Sequence, residues 1–196
     1  MKVELVAITA EPERVIEEAE RTCYQSQGKG KAAGASGLLK RLLDLGHESP
    51  FEHAYATFRI TGCSRAMTHQ LVRHRLLAVS QRSQRYVSEK GFDYVIPPSV
   101  PADQAEDFKG DMETIRRMYE KWKERGLKNE DARYVLPNAC ATEIVISANF
   151  REFRHIFRVR CAPAAQWEIR AACLDMLRQL HRHAPRVFED VLKAAG

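Results

Sequence analysis

Apolar residues alternate with period two in only three short stretches of this chain, and segments of helical period separate them. The alternating stretches are residues 2–9 (KVELVAIT), 53–62 (HAYATFRITG) and 141–149 (ATEIVISAN). Such alternation reads as a strand with one buried face. Helical spacing covers 12–23, 36–46, 64–75, 103–125, 129–135, 150–159, 164–183 and 185–194. In the longest of these, Phe108, Met112, Ile115, Met118 and Trp122 recur at the spacing of one buried helical face. A few strands scattered among helices predict an α+β fold, with a small, mainly antiparallel sheet packed with helices. No internal repeat or low-complexity linker interrupts the 196 residues, so one domain spanning 1–196 is expected.

Several chemistries are excluded early. No apolar run approaches the ~20 residues of a membrane span. The N-terminal MKVELVAITAEPERV carries charges inside its short apolar stretch, so no signal peptide is expected. The cysteines at 23, 63, 140, 161 and 173 are odd in number and lack C-x-x-C spacing. A reduced cytoplasmic protein with buried thiols follows. The Gly-rich stretch 25–35 reads as a loop, and Gly28-x-Gly30-x-x-x-Gly34 follows a helix rather than a strand, unlike a dinucleotide fingerprint. His47-Glu48 and Glu52-His53 lack H-E-x-x-H spacing, and Pro50 breaks the helix that motif needs. No metal site is expected.

Charge points to the ligand. The net charge is only +5, but residues 53–88 hold no Asp or Glu and include Arg59, Arg65, Arg73, Arg75, Arg82 and Arg85. A second cluster holds Arg151, Arg154, Arg158 and Arg160 with only Glu152 among them. Arginine grips phosphate with a planar fork, so both clusters suit phosphorylated ligands. Arg73-His74-Arg75 is the sharpest case: adjacent cationic groups repel unless water or an anion relieves them, and Leu71, Val72, Leu76 and Leu77 flank them.

Arg73-His74-Arg75, followed by seven residues and Ser83, resembles the signature of the flavin-dependent thymidylate synthases. GHESPFEHAYATF (46–58), THQLVRHR (68–75), SQRSQRY (80–86), ARYVLP (132–137), SANFREF (147–153) and RCAPAAQWEI (160–169) are similar to that family's blocks in order and spacing. The resemblance runs from about residue 2 to 192. It implies the family's fold and a homotetramer with active sites at subunit interfaces. It also implies conversion of dUMP to dTMP, with methylenetetrahydrofolate as carbon donor, NADPH as reductant and FAD between them. No nucleic acid and no membrane would be partners. By position, FAD would meet Ser49, Arg73, His74, Arg75, Gln81, Asn149, Arg151 and His155, with His47 near the flavin. Gln70, Arg73, Gln81, Arg82, Ser83, Gln84, Arg85, Arg133 and Arg160 would meet dUMP, and Arg160 would be catalytic. Gln81 stands where Glu is common in the family, and His155 where Asn is common.

The residue types suit that chemistry. A pocket for FAD and dUMP must hold several negative charges, which arginine forks and a serine hydroxyl can meet. Gln70 and Arg73 are three apart on a predicted helix and would share a face. A fixed cation at Arg160 would favour an ionised uracil N3. That ionisation pushes electron density towards C5, the carbon that must attack the methylene. Ser83 has no obvious base partner beyond His74, so it reads as a nucleotide ligand rather than a nucleophile. The rival class is a basic RNA- or single-strand-binding module using residues 53–88, with Phe58 and Tyr86 for stacking. Such a module would not require Arg133, Asn149 and Arg160 together.

Overall fold

A computed structural model describes residues 1–23 and 35–196. The loop expected at 25–35 therefore lies almost wholly outside the described residues. The chain runs β1 (Lys2–Ile8), α1 (Pro12–Cys23), α2 (Ala35–Asp44), a 3-10 turn (Ser49–His53), β2 (Tyr55–Ser64), α3 (Arg65–Leu71) and β3 (Ala78–Gln81). It continues through α4 (Ala105–Glu124), α5 (Asn129–Ala132), β4 (Ala141–Asn149), α6 (Phe150–Arg160), α7 (Trp167–His183) and α8 (Pro185–Ala194). The strands form an antiparallel sheet in the order β1-β2-β4-β3. This is the expected α+β class.

Central β4 shows why alternation predicts a strand. Thr142, Ile144, Ile146 and Ala148 are buried and their neighbours are less so. In β2 the buried side is Ala56, Phe58 and Ile60, and then the phase slips to Cys63. The slip falls at Gly62, whose φ of +66° belongs to the left-handed region that glycine adopts freely. β3 was not expected. All its residues but Gln81 are exposed, so no apolar pattern marks it.

Two compact units are distinguished. One comprises residues 1–2, 60–71 and 80–144; the other comprises 3–59, 72–79 and 145–196. In the first, Phe92, Met112 and Cys140 form a core with Tyr94, Phe108, Ile115 and Leu136. The expected α4 face needs one correction. Met118 is 47% exposed, and Tyr119 is fully buried in its place. Stepping to 119 keeps the apolar stripe closer to the helical repeat, and the Tyr119 hydroxyl accepts the Glu89 N–H at 3.2 Å. In the second unit, Phe150, Phe153, Phe157 and Phe188 pack with ring centroids 5.0–6.0 Å apart, and Phe153 also meets Phe58 edge-on at 5.5 Å.

Helix starts follow their caps. Asn149 opens α6 by accepting the Glu152 N–H at 2.9 Å. Gln166 accepts from Glu168 and Ile169, so α7 begins at Trp167 rather than at 164. α3 ends at Leu71, leaving Arg73 in the turn that follows. The helical face expected to carry Gln70 and Arg73 together therefore stops short of Arg73. No helix among the described residues is long and apolar enough to cross a membrane.

Candidate functional site

The unit of residues 3–59, 72–79 and 145–196 holds Ser49, Arg73, His74, Arg75, Asn149, Arg151, His155 and Arg160. These are the residues assigned to FAD, apart from Gln81, together with the catalytic candidate. The R-H-R run turns its members alternately: Arg73 and Arg75 are exposed and His74 is buried. Arg160, at the C-terminal end of α6, donates from Nε to His74 Nε2 at 3.0 Å. His155, five residues earlier on α6, sets its ring edge-on to His74 with centroids 5.7 Å apart. Burial, then the neighbouring Arg160 and His155, lowers the His74 pKa to about 4. The ring is therefore neutral at neutral pH.

Beside this group lies a cavity of about 720 Å³, lined by residues that include Glu48, Glu52, Asn149, Arg151, His155 and Arg158. Its volume falls in the ordinary range for ligand pockets. Asn149 spends its side-chain oxygen on the helix cap, which leaves its amide NH2 as the group that can serve a ligand. Arg151 pairs with Glu52, and Arg158 pairs with Glu48 at 2.6 Å. A ligand phosphate would compete with these carboxylates for the two guanidiniums. Glu48 also meets buried Arg154 at 3.4 Å. Burial pushes the Glu48 carboxyl up, but Arg158 and Arg154 outweigh it and hold its pKa below the usual value. Ser49 is exposed at the start of the neighbouring 3-10 turn, and His47 is exposed before it.

The unit of residues 1–2, 60–71 and 80–144 holds Gln70, Gln81, Arg82, Ser83, Gln84, Arg85 and Arg133, all assigned to dUMP. Gln84, Arg133, Arg65, His69 and Tyr134 line a cleft of about 350 Å³ with Leu136, Pro137 and Asn138. Burial, then the Arg133 charge, lowers the Arg65 pKa, and the nearby Glu89 carboxylate offsets only part of that. Ser83 Oγ accepts the Arg85 N–H at 3.2 Å, which shapes the turn. Gln81 donates to Thr68 at 3.0 Å and to Thr142 at 3.4 Å. Arg82 meets buried Glu89 at 3.1 Å and the Ala141 carbonyl at 2.8 Å. Arg85 pairs with Glu130 at 3.0 Å and lies over the Tyr86 ring. Arg82 is thus committed within the fold, whereas Arg85 is exposed and can exchange partners.

Sequence assignment missed Glu48, Glu52 and Arg158 at the larger cavity and Arg65, His69 and Tyr134 at the smaller one. Their signals were available. Glu48 and Glu52 stand inside the 46–58 block, and Arg65 belongs to the stretch without acids. Cys63, Cys140, Cys161 and Cys173 are buried free thiols. Burial pushes Cys140 up to about 12 and Cys161 up to about 11, so neither offers a nucleophile. Among the described residues, no cluster of three or more His, Cys, Asp or Glu could hold a metal ion. The stacking surface of an RNA-binding module is not available as expected: Tyr86 is exposed, but Phe58 is fully buried.

Comparison with known proteins places the chain in a family. The family model described as thymidylate synthase complementing protein matches residues 4–186. A flavin-dependent thymidylate synthase from Geobacter sulfurreducens is 43% identical, over 97% of this chain and 86% of its own. The enzyme of that name from Mycobacterium tuberculosis is 40% identical, over 90% of this chain and 78% of its own. Thymidylate synthase X from Helicobacter pylori, solved with FAD and dUMP, superposes with a TM-score of 0.74 and 25% identity. That match covers 98% of this chain and 99% of the solved one. With nearly the whole length matched in sequence and in fold, the chain belongs to the flavin-dependent thymidylate synthase family.

Proposed function

We propose that this chain, working in the cytoplasm as one domain of a homotetramer, binds FAD and dUMP and forms dTMP. Methylenetetrahydrofolate would give the carbon and NADPH the reducing equivalents, with active sites at subunit interfaces. The observation that carries the proposal is the bond from Arg160 to buried His74. It joins the R-H-R signature to the residue assigned to catalysis, 86 positions away. Tyr86 and Tyr134, 81% and 86% exposed beside the residues assigned to dUMP, are the kind of surface that a partner subunit covers.

The larger cavity suits FAD by its donor chemistry. Arg151 and Arg158 can meet a pyrophosphate, the Asn149 amide and His155 can meet polar edges, and Leu76, Ala78 and Ala148 supply apolar wall. When bound, FAD supplies hydride chemistry that protein side chains lack. The chain's own residues do the rest. Arg133 and Arg85, with the Ser83 hydroxyl, would hold the dUMP phosphate. Arg160 would stand beside the uracil and favour its ionised form, raising electron density at C5. His74 remains neutral beside Arg160 and leaves that charge uncancelled.

Purified protein is expected to release a fluorescent flavin on denaturation, or to melt at a higher temperature when FAD is added. Protein that carries no flavin and shows no shift at saturating FAD would contradict the proposal.

A further inference from the structure

Arg160 has an unusual hydrogen-bond partner for a residue meant to stabilise negative charge. Guanidinium groups only donate, so His74 Nε2 must present its lone pair. The imidazole is then neutral, with its proton on Nδ1, since an imidazolium has no acceptor. Arg160 and His155, both from α6, are the charged or titratable groups whose influence on the buried ring is resolved, and both oppose its protonation. A carboxylate in the place of His74 would also hold the guanidinium, but it would cancel the positive charge. A neutral imidazole holds the group and leaves the charge intact.

We propose that His74 is a positioning residue for Arg160: its neutral Nε2 accepts the Nε–H and fixes the guanidinium plane without neutralising it. The bond engages Nε, so only the fork made by the two terminal nitrogens is independent of His74. The role rests on Arg160 acting on the substrate, and goes beyond it by assigning His74 a task other than contact with FAD.

Three variants test it, each assayed at saturating FAD and dUMP after its melting temperature is recorded. His74→Leu removes the acceptor, and kcat is expected to fall about 10–100-fold with little change in the dUMP KM. His74→Gln restores an acceptor at similar reach and should recover most of that loss. His74→Glu keeps an acceptor but adds a negative charge, and should stay as poor as the Leu variant. Independently of turnover, nitrogen-labelled histidine in the wild-type protein, with and without FAD, should show His74 protonated at Nδ1. The ring should stay neutral down to about pH 5, given its pKa of about 4.

Equal losses in all three variants, or a Leu variant repaired simply by more FAD, would overturn the proposal. So would a ring protonated at Nε2, or one titrating near the ordinary ~6.5. If the variants do not fold, the wild-type spectrum decides. An active Arg160→Ala enzyme would remove the role of Arg160 while leaving the His74 tautomer to be read separately.

Discussion

Replacing Arg160 with alanine is expected to lower turnover about 10²–10³-fold, the usual cost of removing a donor aimed at developing charge. The assay is dTMP formation from dUMP with methylenetetrahydrofolate, NADPH and FAD in excess, so that weaker binding does not pass for lost chemistry. Arg160 sits in the last turn of α6, where the helix dipole favours a cation, and its Nε bonds a neutral ring. That bond holds the guanidinium without cancelling its charge. Ser83→Ala supplies the contrast. Its hydroxyl accepts one backbone N–H in a turn and would donate to a phosphate, a loss of about 0.5–1.5 kcal/mol, or roughly ten-fold. A dead Ser83→Ala enzyme beside a near-normal Arg160→Ala enzyme would transfer the chemistry to the serine and withdraw it from Arg160.

Arg154→Ala is expected to cost about 1.5–3 kcal/mol of stability, the range for losing charge-assisted hydrogen bonds, because Asp190 is 48% exposed and can turn to water. The Arg154 side chain is 1% exposed. It meets both Asp190 carboxylate oxygens at 2.7 Å, the Val187 carbonyl and Glu48, and lies over the Phe51 ring. The variant would leave Asp190 without that fork and Glu48 with Arg158. Guanidinium unfolding at pH 7 measures the loss, and a change under 1 kcal/mol would contradict it. The sign with pH is fixed by the carboxylates. Burial pushes both upward, but the arginines hold Glu48 and Asp190 below their ordinary values. Their contribution is present above the unfolded pKa of about 4 and is lost as pH falls through the folded values. The gap between wild type and variant should therefore narrow in acid.

What the sequence disclosed follows from where each pattern gets its physical cause. β4 was legible because its inner face is buried at every second residue, whereas β1 alternates in apolarity over part of its length but buries no residue fully. β3 was not, because an exposed polar edge strand leaves no periodic trace. Apolarity alone ranks Met118 above Tyr119, whereas the structure buries the tyrosine ring and bonds its hydroxyl to the Glu89 amide. The sequence blocks supplied Asn149 and Arg151, which line the larger cavity, and Arg133 and Gln84, which line the smaller. Pairings across long separations were invisible. Arg154 belongs to a cluster that suits phosphate, yet Asp190, 36 residues on, takes its fork within the fold. Arg82 looked ready for a phosphate, yet Glu89 and the Ala141 carbonyl hold it within the fold. The His74–Arg160 bond joins two motifs that the sequence could name only separately.

The reaction proposed for this chain turns dUMP into dTMP by way of FAD. Its most direct measurement follows dUMP by chromatography in the presence of methylenetetrahydrofolate and NADPH, with FAD either supplied or stripped from the protein. dTMP should appear with FAD, be lost on stripping, and return when FAD is restored. Protein that binds both FAD and dUMP yet yields no dTMP, or that yields dTMP equally well without flavin, would contradict it.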